Sequence, residues 1–351
     1  MSVKITLNDR HQKILRATIQ HYIATAEPVG SKTLLEEYNF CVSSATIRNA
    51  LGKLEKDGLL YQPHTSSGRI PSDHGYRLYV DELMTRDDNI SRQVEKHLTH
   101  NLRPNSWSFE ALLQKATQIL ASLSGYIAII SLPNSGTNQL RHLQLVQVSP
   151  KQVMLIIVTD SLQTQSILID LSTMQKHENQ EWLEEELKIL SKFLDEKLKG
   201  YSLAELSLLD WQQIDREFIQ YTNVLQTLVR ELTGYLQQSY TPSIIVHGVS
   251  EVLRLPEFSQ LQQVQMLLHL LEEEQEQLLP VIFEFSPGVN IKIGTENPLE
   301  SMRPCTLIAA NYKHGEIPVG SVGIIGPTRM LYENTIPLVQ STADYLTSAL
   351  G

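Results

Sequence analysis

The sequence predicts an α+β multidomain protein that opens with a winged helix-turn-helix. Three observations carry that prediction. Apolar residues at helical spacing, each stretch with its own cap, recur three times between residues 8 and 57. A short apolar hairpin follows at 59–70. The remainder runs from strands to helices and back to strands, the pattern of one α+β sheet domain interrupted by an insertion. At 351 residues the chain exceeds one ordinary core, and two or three domains are expected.

The first helix is expected from about Asn8 to Thr25, with Asn8 as N-cap and Ile14, Leu15, Ile19, Tyr22 and Ile23 on one face. Glu27-Pro28 ends it, because a residue before proline avoids helical angles. A short second helix is expected over Ser31–Tyr38, with Ser31 as cap and Leu34 and Leu35 inward, leaving through a left-handed Asn39. Ser43 or Ser44 caps the third, whose buried stripe is Ile47, Leu51 and Leu54, and Gly58 stops it. Leu59-Leu60-Tyr61 and Arg69-Ile70 are the wing strands around His64-Thr65-Ser66-Ser67-Gly68. Ser72 caps a further helix with Tyr76, Tyr79, Val80 and Leu83 on one face. Polar residues at 86–106 form a helical linker.

A helix at about Trp107–Leu123 begins the second region. Strands follow at Tyr126–Leu132, Leu140–Val148, Val153–Thr159 and Gln165–Leu171. From Glu181 to Leu271 the pattern is mostly helical, with a strand-like Ile244-Ile245-Val246 inside it. Strands return at Asn290–Gly294, Thr306–Tyr312 and Ser321–Ile325, before a last helix near Ile336–Leu350.

Composition excludes several classes. Hydrophobic residues at 42% and charged residues at 19% fit a globular chain. No apolar run reaches the roughly 18 residues of a membrane span. Cys41 and Cys305 stand far apart without ligand spacing, which implies a reducing compartment, no structural zinc and a cytoplasmic location. The net charge of −10 is uneven: residues 1–85 carry 10 Lys+Arg against 9 Asp+Glu, so the acidic excess lies downstream. A near-neutral N-terminal unit attracts phosphate only modestly, and specific affinity requires a few well-placed contacts, repeated by dimerisation.

The third helix supplies such contacts. With Ile47, Leu51 and Leu54 turned inward, Ser44, Arg48 and Asn49 project elsewhere. Ser43, Ser44 and Thr46 suit phosphates at the helix N-terminus, Arg48 a bidentate guanine contact and Asn49 adenine. His64 and Arg69 flank the wing tip of Thr65, Ser66, Ser67 and Gly68, where glycine permits close backbone approach. Singly, each residue is as well explained as a cap or a solvated charge. Their order, helix, turn, helix, wing, points to duplex DNA. Elsewhere the chemistry is thin. Gly320, Gly323 and Gly326 are not a phosphate-binding spacing, Cys305 has no relay partner nearby, and the Glu184 and Glu272 runs read as solvated helix faces. Asn311, Tyr312 and Arg329 offer a weaker ligand-pocket alternative.

The chain resembles the heat-inducible transcription repressor HrcA family. The resemblance rests on Pro28-Val29-Gly30-Ser31, Val42 through Asn49, Pro63 through Pro71, Gly75-Tyr76-Arg77 with Tyr79-Val80-Asp81, Ile293 through Asn297, Gly323 through Met330, and Tyr332; residues 175–285 match weakly. It implies a winged-helix unit at 1–85, a GAF-like α/β domain at 107–175 and 285–351, and an inserted, mostly helical dimerisation domain at 176–284. It further implies a homodimer on a palindromic operator of chaperone genes, activity modulated by the GroE chaperonin, and no enzyme activity, cofactor or metal. A small-molecule-sensing transcription factor with a ligand in the GAF-like domain is the alternative.

Overall fold

The computed structural model describes residues 7–65, 67–85, 92, 94, 96–99, 109–133, 139–149, 152–159, 164–170, 184–201, 205, 244–283 and 288–350. Ser66, most of the expected linker and nearly all of 202–243 lie outside them.

Helix α1 spans Asp9–Thr25, and the Asn8 side chain accepts the His11 N–H as N-cap. It closes on Ala26 in the left-handed conformation, which donates back to the Tyr22 carbonyl. Helix α2 is Ser31–Glu37 and helix α3 is Ser44–Lys56. Three details of the expected second helix are corrected. Gly30 is the N-cap, because the Ser31 hydroxyl is turned to Ser44 at 3.1 Å. Leu34 is fully buried, but Leu35 points to solvent, since neighbouring helical positions lie about 100° apart and so short a helix has one buried edge. The exit runs through Tyr38 at φ −124°, and Asn39 is not left-handed.

Strands β1 (Leu60–Tyr61) and β2 (Ile70–Pro71) pair antiparallel, and an isolated bridge joins Val29 to Arg69. Helix α4 (Asp73–Leu78), capped by Ser72, continues into one π-helical turn at Tyr79–Leu83. Its start is locked to the base of the hairpin. Ser72 N–H donates to Leu59 O at 3.1 Å, Ser72 Oγ to Gly58 O at 2.6 Å, and a β-carbon on Gly75 would lie 2.1 Å from Leu59 O.

Helix α5 (Phe109–Ser124) leads into β3 (Ile127–Ser131), buried at every position. The chain then leaves this sheet. Strands β4 (Leu140–Ser149), β5 (Gln152–Thr159) and β6 (Thr164–Asp170) make a separate three-stranded antiparallel sheet, packed on helix α6 (Glu184–Leu198). It returns at β7 (Ile244–His247), which pairs with β3. After β7 come α7 (Val249–Val252), α8 (Leu261–Glu272), α9 (Gln275–Ile282), β8 (Val289–Ile293), β9 (Cys305–His314), β10 (Ile317–Pro327) and α10 (Tyr332–Leu350).

The larger sheet has order β7-β3-β10-β9-β8, antiparallel throughout. Ala128, Ile130, Ile308 and Ile324 join the apolar cluster containing α5 and α10, while Ile127, Ile129, Leu307 and Ile325 join the one containing α8 and α9. Helices therefore cover both faces. The first of these clusters also contains Ile14, Ile47, Leu51 and Tyr76, so the N-terminal core is continuous with that of the sheet.

The sheets divide the chain elsewhere than at 175/176 and 284/285. β3 is already flanked by β10 and β7, so no edge is left for β4. β4 and β5 alternate buried and exposed residues, the mark of a sheet covered on one side. Strands β4–β6 and helix α6 pack as one unit, and β7 joins the larger sheet with the helices that follow it against one face.

Gly75→Ala is expected to lower folding stability by about 1–3 kcal/mol, because the neighbour it meets is backbone and cannot yield. Urea unfolding with an unchanged m-value checks this.

Candidate nucleic-acid interface

Helix α3 is built for two environments. Ile47, Ala50, Leu51 and Leu54 are buried against α1 and α2, and the opposite side presents exposed Ala45, Arg48, Asn49, Lys53 and Lys56. The Ser43 Oγ accepts the Thr46 N–H at 3.2 Å and lies 3.0 Å from the Thr46 hydroxyl, fixing the first turn. Ser44 is spent on Ser31, tying α3 to α2. Arg48 and Asn49 make no hydrogen bond or ion pair among the described residues. They stand one turn from the helix N-terminus, where the backbone dipole favours anions.

Gly52 shares that outer face, three and four positions on. A β-carbon there would meet nothing within 4 Å, so no contact within the described chain explains a glycine in mid-helix.

The hairpin is tied to α3 by a residue expected to face outward. Arg69 Nε donates to Glu55 Oε2 at 3.0 Å, and its side chain is only 19% exposed. Arg69 also exchanges both backbone hydrogen bonds with Val29 at 2.9 Å. The Arg69 guanidinium is thus a strut between hairpin and helix. Gly68 does not adopt a left-handed turn; a β-carbon there would lie 2.5 Å from the Pro28 carbonyl, so glycine admits the 28–29 backbone. His64 and Thr65 are exposed at the tip. Ser67 closes the tip by donating its Oγ to His64 O at 2.7 Å and accepting the His64 N–H at 3.1 Å. Ser66 is outside the described residues.

Sequence reasoning missed Gln62, whose Nε2 donates to Thr65 O at 3.1 Å and Ser67 O at 2.8 Å and holds the tip together. It missed Glu55 as well. Neither follows any periodicity, since each acts across a loop. A groove of about 670 Å³ opens between α1 and the loop before α3, with Asp9, Arg10, Lys13 and Arg16 on one wall and Tyr38, Phe40 and Val42 on the other.

The weaker candidates are committed to packing. Ser321 Oγ donates to Asn311 Oδ1 at 2.6 Å, Tyr312 OH donates to Ser131 O at 2.7 Å, and Arg329 pairs with Glu257. β-carbons on Gly320 and Gly326 would lie 2.3 Å from Tyr312 and 2.7 Å from Met330, so these glycines make room for side chains. Burial pushes the Cys305 thiol up to about 12, far from a reactive thiolate. No helix among the described residues is long and apolar enough to cross a membrane.

A family model described as HrcA protein C terminal domain matches residues 110–336. The heat-inducible transcription repressor HrcA of Synechocystis sp. is 52% identical, with 99% of this chain and 98% of that protein covered. Its counterpart from Cyanothece sp. is 54% identical, covering 99% of each. Among solved structures, the crystal structure of a hypothetical protein superposes with TM-score 0.68 at 24% identity, covering 98% of this chain and 99% of that one, a likeness of fold.

Gly52→Ala is expected to raise folding stability by about 0.5–1 kcal/mol, since alanine fits and restricts the unfolded chain. A higher midpoint in thermal or urea unfolding checks it.

Proposed function

The chain belongs to the HrcA family of heat-inducible transcription repressors, and on that premise we propose that it silences chaperone genes by binding an inverted-repeat operator as a homodimer. The family is one of repressors, not enzymes. In this reading α1–α3 and the β1–β2 hairpin are a winged helix-turn-helix. α3 enters the major groove, and the hairpin lies along the neighbouring backbone. The observation that carries it is the outer face of α3: Arg48 and Asn49 are exposed and uncommitted, on a helix whose other face is anchored in the core. Arg48 reads guanine and Asn49 adenine, while Ser43, Thr46, His64, Thr65 and Ser67 face phosphates and sugars. Arg69 holds the wing in place. Gly52 leaves the helix backbone bare beside Arg48 and Asn49, so the helix can sit deep in the groove.

Residues 109–133 with 244–350 form the GAF-like domain in this reading, and the inserted dimerisation domain starts at the β4–β6 sheet. The support is the open face of that sheet. Val146, Met154 and Leu168 form one cross-strand row, with Val146 38% and Leu168 54% exposed and Val148 52% exposed beside them. An exposed apolar patch of this kind fits a two-fold interface. Modulation by GroE rests on the family resemblance and on no residue of this chain.

Fluorescence anisotropy with an inverted repeat footprinted on the chaperonin promoter, against scrambled duplex, tests the reading; equal affinity for both overturns it. Adding GroE is expected to increase the fraction of protein competent to bind. Arg48→Ala is expected to relax preference at one base position, a loss of about 1–3 kcal/mol there; a uniform loss at every position makes Arg48 a phosphate contact instead.

Leu168→Glu is expected to weaken self-association by more than tenfold while the fold persists. Sedimentation equilibrium beside circular dichroism checks this.

A further inference from the structure

The sequence blocks near residues 294 and 329 have no part in the proposed DNA surface, yet they contact the unit that carries it. Asp73 Oδ2, at the start of α4, accepts the Thr295 N–H and the Thr295 hydroxyl, each at 2.9 Å. Arg77 Nε, one turn on, donates to Glu296 Oε1 at 2.9 Å. Arg77 Nη2 reaches the other oxygen of Glu296 and also donates to Ile291 O at 2.6 Å. Ile291 lies in β8, a strand that pairs only with β9 among the described residues, so Arg77 caps the open edge of the larger sheet. The Ile293 N–H donates to Glu296 at 2.9 Å and aims its carboxylate. Gly294 has φ +55°, and a β-carbon there would lie 2.3 Å from the Asp73 carboxylate, so the turn admits Asp73 only as glycine.

Two further struts cross the same seam. Arg329, in the turn after β10, donates to Ile23 O near the end of α1 at 3.1 Å and pairs with Glu257. The Tyr79 hydroxyl donates to Glu333 at the start of α10. Between the polar contacts the Tyr76 and Tyr332 rings pack at a 45° tilt with centroids 5.9 Å apart.

α4 is also bound on its other side, to the base of the β1–β2 hairpin through Ser72 and Gly75. It is therefore clamped between the hairpin and the edge of the sheet. This inference rests on the proposed DNA-binding reading and deepens it. We propose that Asp73, Arg77, Thr295, Glu296 and Arg329 are positioning residues that form a latch, fixing α3 and the hairpin rigidly to the sheet domain and so setting the half-site spacing the dimer accepts. The reason is mechanical. Two DNA-reading units joined through a dimer contact far from α3 select one spacing only if no soft joint lies between that contact and α3. A chain tether alone tolerates many spacings, whereas α4 removes the slack between α3 and the larger sheet.

The test uses the full-length protein and the footprinted inverted repeat, with the half-sites moved apart by one to five base pairs, and an isolated half-site as reference. Wild type is expected to bind the native spacing at least tenfold better than the five-base-pair insertion, which turns one half-site by about half a helical turn. Arg77→Glu is expected to flatten that profile to within about threefold, lowering affinity for the native repeat while half-site affinity stays within about twofold. Arg77→Glu combined with Glu296→Arg is expected to recover part of the spacing preference, which loss of a merely structural residue does not do. Thr295→Val, a milder change, is expected to flatten the profile partly and guards against misfolding of the charge variants. The latch is overturned if Arg77→Glu and Thr295→Val keep the wild-type profile. It is overturned equally if they lose half-site and repeat binding in parallel. A wild type that does not prefer the inverted repeat at any spacing overturns the DNA-binding reading itself, and the latch with it.

Discussion

The structure turns on a six-residue helix. α4 follows the hairpin directly, and its two faces are bound to different units: Ser72 and Gly75 to the α3–β1 turn, Asp73 and Arg77 to the turn after β8. Neither set of contacts is strong alone. The Arg77–Glu296 pair is roughly one-third exposed, with side-chain accessibilities of 29% and 36%, and screened pairs of that kind contribute little singly. Here the pair is two-pronged, shares a guanidinium nitrogen with a strand carbonyl, and lies beside the buried aromatic contact of Tyr76 and Tyr332. The electrostatics agree with that arrangement. The hydrogen bond to Glu296 raises the Arg77 pKa; burial pushes the Glu296 carboxyl up, but the bonds from Arg77 and Ile293 outweigh it and hold the group below its ordinary range. The acid form of Glu296 is thus disfavoured in the folded state. Its contribution is present at neutral pH and lost only as pH falls through that lowered value.

Much of the first unit was legible because its signals are local. Asn8, Ser43 and Ser72 cap the helices expected of them, and Ile47, Leu51 and Leu54 are buried as their spacing requires. What failed there was finer: Ser31 and Ser44 satisfy each other across two helices, a partnership thirteen positions apart that no capping rule contains. Strands β4–β6 were placed within a residue or two, yet assigned to the wrong sheet. Strand propensity is local, but sheet membership depends on whether β3 has a free edge, and β7, more than a hundred residues later, takes it. Of the interface residues, the uncommitted pair Arg48 and Asn49 was visible in the helical pattern. Arg69 was not, because its partner Glu55 lies on another element. The seam residues Thr295 and Glu296 stood out in the sequence with no role to explain them, and Arg329 only as a weak pocket candidate, since their partners across the seam lie more than two hundred positions away.

Committing Arg69 to the protein leaves the proposed DNA surface with fewer free cations than the sequence suggests. Arg48, Lys53 and Lys56 remain on α3, and Arg10 and Lys13 line the groove between α1 and the loop before α3, together with Asp9. Salt-dependent attraction scales with phosphates neutralised, so one such unit binds duplex weakly without regard to sequence. Doubling it by two-fold symmetry raises specific affinity more than non-specific affinity, because only a correctly spaced pair of half-sites engages both units. In the proposed dimer the open row of Val146, Met154 and Leu168 bears on recognition as well as on assembly.

The charge distribution acts in the same direction. Beyond residue 85 the chain carries 19 Lys+Arg against 30 Asp+Glu, so the sheet and inserted units repel the polyanion that the first unit is proposed to approach. A body of that charge, held to a near-neutral reading unit, disfavours every encounter in which the larger units lead. Approach with α3 foremost is what remains. That orienting effect requires the body and α3 to move together, because a freely pivoting unit averages the repulsion over all orientations. Rigid attachment through α4 therefore joins two proposed properties that look separate: the selection of one half-site spacing, and the use of a net-acidic protein to read DNA.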